Sequence, residues 1–243
     1  MLKRLYDTSK IWFAVGWIVA YCLLMSVGDA LSAEAGIEKL VTLPIGLLLS
    51  FALFLFLKKH SLLKAYGLCA SQVPPQKVLF YLPLVLMLTA NLWFGVAANL
   101  GSAETLLYIL TMFCVGFLEE VIFRGLLFNA MRKDGFKTAV LVSSLTFGIG
   151  HIINLFNGSG AALLPNLLQV VYATAAGFMF VMLYCKTDSL LICILAHGLF
   201  NGLSVFSLSA PNTIMQILSC LLLTVITGSY GAYIAFTMKK APG

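Results

Sequence analysis

Long apolar runs separated by short clusters of lysine and arginine constrain this chain more than any other feature. Several of the runs reach the roughly 20 residues that an α-helix needs to cross the hydrocarbon core. Backbone inside lipid must satisfy its own hydrogen bonds, and a run of that length does so as a helix. Of 243 residues, 61% are hydrophobic and 10% charged, where a soluble domain would carry about a quarter charged. The fold class that follows is all-α, a polytopic transmembrane helix bundle.

Eight runs are expected to span: 11–31, 41–57, 78–100, 105–131, 138–156, 164–185, 189–206 and 213–238. Both termini then lie in the cytoplasm. With this threading 13 of the 15 Lys+Arg fall on the inner side, Lys39 falls outside and Arg124 lies within the membrane. That asymmetry is what the positive-inside rule requires, and one missed or extra span would spoil it. The first run, behind Lys3, Arg4 and Lys10, is longer than a typical secretory h-region and reads as a retained helix. A cleaved signal, with Ala33-Glu34-Ala35 as a weak cleavage site, is the alternative. The basic loop containing Pro74-Pro75 has room for a short interfacial helix, and Asn157-Gly-Ser-Gly160 has turn chemistry. With no repeat, linker or low-complexity segment, residues 1–243 make a single membrane domain.

The formal net charge of +6 does not point to nucleic acid, because the basic residues cluster between apolar runs and form no stripe interleaved with aromatics. The six cysteines contain no CxxC pair and read as small packing residues.

The fourth run carries the chain's costliest residues, in Phe117-Leu-Glu-Glu-Val-Ile-Phe-Arg124. A charge near the bilayer centre costs roughly 2.5–3.5 kcal/mol even on the lenient insertion scale. Glu120 and Arg124 are four apart and share a helix face, so each can neutralise the other. Glu119 lies about 100° around the helix and has no partner nearby in sequence. The fifth run adds Phe147-xxx-His151, with Gly148 and Gly150 available for close approach of a neighbouring helix. The seventh adds His197-xxx-Asn201, whereas Asn91 and Gln169 read as interhelical hydrogen-bonding groups. At about 1.5 Å per residue from the inner ends, Glu119, His151 and Asn201 come to roughly 18–20 Å, and His197 and Arg124 to roughly 10–12 Å.

A carboxylate and an imidazole converging on one water can deprotonate it. A second imidazole and a carboxamide can donate hydrogen bonds to a developing oxyanion. Glu119, His151 and His197 can equally hold Zn²⁺, although the spacing is not that of HExxH. Glutamate and histidine inside a membrane also suit a proton relay, but no discontinuous helix pair or half-repeat accompanies them.

Taken together, Glu119-Glu120-xxx-Arg124, Phe147-xxx-His151 and His197-xxx-Asn201, in that order on apolar runs, resemble the CPBP family. This family comprises the type II CAAX prenyl endopeptidases and bacterial bacteriocin-processing and immunity proteins. The resemblance covers a core of about 105–206. It implies Glu119 as general base, His151 as its partner on the water, and His197 and Asn201 as the oxyanion site. Glu120 and Arg124 would be the supporting pair. Within the family both zinc-dependent and metal-independent glutamate mechanisms have been described, and the carboxamide of Asn201 favours the second, with no cofactor. The expected activity is intramembrane endoproteolysis of a membrane-bound peptide or protein, within the bilayer or at its cytoplasmic side, in a prokaryotic plasma membrane. The alternative is a non-catalytic protein conferring bacteriocin self-immunity or scaffolding envelope partners.

Overall fold

The computed structural model describes residues 2–74, 76–156 and 162–238. Each of the eight expected runs contains a helix. A short α1 (Leu2–Thr8) precedes α2 (Lys10–Glu34), whose N-terminus is capped by Ser9 accepting from the Trp12 amide. Then come α3 (Thr42–Lys59), α4 (Val78–Thr89) and α5 (Ser102–Glu119). The helix of α5 does not stop at Glu119. It widens into a π-helical stretch over Glu120–Phe128, tightens again in α6 (Asn129–Met131), and ends at Asp134. Next are α7 (Phe136–Gly150), α8 (Leu163–Thr187), α9 (Leu191–Leu203) and α10 (Thr213–Thr237).

Six of these helices are long and apolar enough to cross a membrane, among them the continuous Ser102–Asp134. The chain is a multi-pass integral membrane protein. The third and seventh expected spans form shorter apolar helices, Leu79–Leu92 and Leu191–Phe206. The third was expected to run to residue 100 but unwinds after Leu92, and Gly95 turns the chain at φ +112°. The unwound backbone is satisfied internally. The Ala97 amide donates to Phe206 O, and the Asn99 carboxamide donates to Val205 O and Ser207 O. Irregular backbone at membrane depth is tolerated where protein covers it in this way.

The basic loop after α3 contains turns and no helix among its described residues. It is tied over the α8–α9 turn, with the Leu190 amide donating to Gly67 O and Ser189 Oγ donating to Cys69 O. Asn157–Gly160, Pro75 and Lys239-Lys240 lie outside the described residues.

The packing places the π stretch at the centre. Helix α8 lies against α7 and α10, α9 crosses α5, and α2 and α3 close the remaining side. All nine residues from Glu120 to Phe128 are buried. At the α7–α8 crossing the backbones come so close that a Cβ on Gly148 would lie 2.9 Å from the Thr174 amide. Gly150, in contrast, has nothing within 4 Å of where its Cβ would be, so only one of the two flagged glycines serves the crossing.

Candidate active site

Glu119 is the last residue of α5 and Glu120 the first of the π stretch, so the helix changes pitch between the two carboxylates. π-Helical turns cost hydrogen-bond geometry and occur frequently at functional sites. Here the wider turn carries Glu120 and Arg124 into a dry interior where both are fully buried. Arg124 Nη1 stands 3.2 Å from Glu120 Oε1. Its guanidinium lies over the Phe147 ring at 4.0 Å and 5.5 Å from the centroid of Phe180, so aromatic faces supplement the carboxylate. Phe147, one turn ahead of His151, is therefore part of the arginine's seat.

Glu120 was expected to be occupied by Arg124 alone, with Glu119 pointing elsewhere. The structure links the two glutamates through one imidazole. His197 Nδ1 lies 2.8 Å from Glu120 Oε1, and its Nε2 lies 3.5 Å from Glu119 Oε2. Because a carboxylate accepts, Nδ1 is the donor toward Glu120, and Nε2 is turned to Glu119. The ring is fixed by stacking on Phe180 at 5.7 Å and by the edge of Phe147 at 5.7 Å. The other oxygen of Glu119 accepts a 2.5 Å hydrogen bond from the Tyr21 hydroxyl on α2. Nothing in the sequence around Tyr21 distinguishes it, and 98 positions separate it from its partner. Only helix packing brings the two together.

His151 opens the short 3₁₀ turn that follows α7. Its Nδ1 donates to Phe147 O at 3.0 Å, leaving Nε2 with a free lone pair. Its own carbonyl accepts from the Asn166 carboxamide at 2.8 Å, which pins the turn to α8. Asn91 and Gln169 make the interhelical bonds expected of them, Asn91 donating to Phe200 O and Gln169 accepting from Asn154.

A cavity of about 330 Å³ has Glu119, His151 and Asn201 in its wall together with Tyr21, Asp29 and Lys39. That volume falls in the range of ligand pockets. A smaller recess of about 30 Å³ shares His151 and Asn201 and reaches His197. Glu119, His151 and Asn201 thus share one cavity wall, and His197 lines the smaller recess beside it. His151 and Glu119 face the same space from different helices. Among the described residues no group of three His, Cys, Asp or Glu side chains is arranged to hold a metal ion.

Comparison with known proteins singles out the same part of the chain. Residues 101–203 match the family described as type II CAAX prenyl endopeptidase Rce1-like. A Bacillus subtilis (strain 168) protein named "Putative membrane peptidase YdiL" is 33% identical over 111 residues, covering 45% of this chain and 40% of that relative. The match thus spans less than half the length of the curated relative. No solved structure matches. Glu119, Glu120, Arg124, His151, His197 and Asn201 all fall inside the matched segment, while Tyr21, Asp29 and Lys39 fall outside it.

Proposed function

We propose, from the match of residues 101–203 to the type II CAAX prenyl endopeptidase family, that this segment is a CPBP-type core and the chain an intramembrane endopeptidase. It hydrolyses a peptide bond of a membrane-associated peptide or protein in a prokaryotic plasma membrane. The observation that carries this reading is Glu119 itself. It is a carboxylate at the wall of a polar cavity, held on one oxygen by Tyr21 and faced on the other by His197 Nε2.

In the proposed reaction Glu119 takes a proton from a water in the cavity, and the free Nε2 of His151 orients that water. The water oxygen bonds to the carbonyl carbon. The oxyanion that develops accepts hydrogen bonds from the Asn201 carboxamide and from His197 Nε2–H, a proton the ring carries only as an imidazolium because its Nδ1–H is already given to Glu120. The C–N bond then breaks, the leaving nitrogen takes the proton held by Glu119, and an acid and an amine result. Glu120 and Arg124 act through His197, since Glu120 accepts from Nδ1 and so holds the ring with Nε2 facing the site. The donor set supports a metal-independent route, because a base, a water-orienting imidazole and two oxyanion donors are all accounted for.

The test compares free N-termini in membranes of cells making the wild-type chain or Glu119→Ala, followed by purified protein acting on the peptides so found, with and without a chelator. Wild-type protein is expected to cut with or without chelator, and Glu119→Ala not at all. Unchanged cleavage by a folded Glu119→Ala ends the assignment, and loss of cleavage on chelation replaces the glutamate route with a zinc one.

A further inference from the structure

The long axis of the cavity has a direction. From Glu119 its wall climbs α2 through Tyr21, Met25 and Asp29, toward the C-terminal end of that helix. It climbs α5 through Val115, Met112 and Tyr108, toward the N-terminal end. On α9 it passes Asn201 to Ser204, and it reaches Lys39 in the α2–α3 connection. Eight residues of helix from Tyr21 to Asp29 span about 12 Å, and eleven from Glu119 to Tyr108 about 16 Å. In the opposite direction the space is closed. Val121, Ile122, Leu126, Leu127 and Phe128 are 0–3% exposed and fill the bundle between Glu119 and the far face.

That closed face is the basic one. It carries Lys10 at the start of α2, Lys58 and Lys59 at the end of α3, and Lys77 ahead of α4. Arg132 and Lys133 end the long helix there, and Lys186 ends α8. Among the described residues the open face has one basic residue, Lys39, paired with Asp29 at 2.8 Å and beside Glu38. Short connections rich in Lys and Arg stay in the cytoplasm. We infer that the site is reached from the extracytoplasmic side, and that its substrate class is a membrane-anchored peptide whose scissile bond enters from the outer leaflet. Such a substrate must be supplied by a membrane-insertion or export step, in contrast to a segment presented by the cytoplasm. The access route stands on the cavity and the charges; the substrate class rests on the proteolytic reading.

The test needs no activity, so it separates the two. Ser26 on α2 and Ser204 after α9 both line the cavity. In a chain whose incompletely buried Cys22, Cys69 and Cys185 are replaced by Ser, Ser26→Cys and Ser204→Cys are labelled with a membrane-impermeant methanethiosulfonate. Labelling is done in right-side-out and in inverted vesicles. Lys186→Cys, in the inner turn, reports vesicle sidedness. Label incorporated per chain is read by mass, on variants eluting as a single species in detergent. Both cavity thiols are expected to react at least tenfold faster in right-side-out vesicles, with Lys186→Cys showing the reverse. Faster reaction in inverted vesicles, equal reaction from both faces, or no reaction from either overturns the inference. If Ser26→Cys alone perturbs the fold, Ser204→Cys decides. Loss of cleavage in Glu119→Ala together with inner-face labelling would keep the protease and discard its outward access; the converse would keep the access and discard the protease.

Discussion

Around Glu120 and Arg124 the interior is dry. Neither side chain is exposed, two phenylalanine rings line the guanidinium, and the nine residues of the π stretch are all buried. Around Asp29 and Lys39, at the other end of the same bundle, an ion pair of shorter distance sits in a cavity wall, with side chains 22% and 14% exposed. The inner pair cannot be solvated if it breaks, whereas the outer pair can. Glu119 stands on the boundary. It is adjacent in sequence to the fully buried Glu120 and itself lines the cavity, and the change from α to π pitch separates the two. In the proposed mechanism this division makes Glu120 the supporting carboxylate and Glu119 the base.

Arg124→Ala should test the dry side most severely. Removing one partner of a buried pair leaves an uncompensated charge, at about 3–5 kcal/mol. The stacking on Phe147 and Phe180 is lost as well. The variant is expected to fail to accumulate as a single species in detergent, or to unfold far below wild type in a thermal scan. If it costs no more than breaking the Asp29–Lys39 pair, the contrast between the two ends is wrong.

Tyr21→Phe probes the boundary. A hydrogen bond to a charged group contributes about 1.5–3 kcal/mol, and this one holds the general base of the proposed mechanism. The expected result is a fall of roughly ten- to a hundredfold in kcat/KM, with the unfolding temperature changed by only a few degrees. Equal activity of Tyr21→Phe and wild type would remove the tyrosine from the site.

What the sequence showed and what it withheld divides along physical lines. Apolar run length and loop charge are local properties, and they were enough to place a helix in each of the eight apolar runs and the basic face, though not the short α1. The six motif residues were legible because charge inside an apolar run is conspicuous. Three features were not legible, since each depends on packing between distant segments. The π stretch forms where the long helix meets α2 and α7. Tyr21 meets Glu119 across 98 positions. His197 lies between two carboxylates that an ideal α-helix directs apart. The early end of α4 follows the same pattern: hydropathy carries on toward residue 100, but the backbone leaves the helix to pair with the segment after α9.

The two glycines of α7 sharpen the comparison at a smaller scale. A Cβ at Gly148 would lie 2.9 Å from both Cβ and N of Thr174, so Gly148→Ala must push α7 and α8 apart. Overpacking of this kind costs about 1–3 kcal/mol. Gly150 lines the cavity and has nothing within 4 Å of its Cβ position. Gly150→Ala is expected to leave the unfolding temperature unchanged or slightly raised, since alanine is the better helix former. Similar losses for the two variants would mean that the crossing is not tight at Gly148.

Lys39→Met is the mildest change, and its pH dependence has a definite sign. Burial works against the Lys39 charge, but Asp29 and then Glu38 outweigh it and hold the ammonium above its ordinary value of 10.5. A group whose folded value is raised stabilises fully below the unfolded value and loses that contribution as pH rises through the folded one. The pair should therefore contribute the same amount from neutral pH to about pH 10, then fade at higher pH. Partly exposed pairs contribute about 0.2–1 kcal/mol. Thermal unfolding of wild type and Lys39→Met in detergent between pH 7 and 11 is expected to show a small constant gap that closes only at the alkaline end. A gap already shrinking near pH 8 would show that the lysine is not held as an ion pair at the mouth. A gap as large as that of Arg124→Ala would show that the outer end is as dry as the inner one.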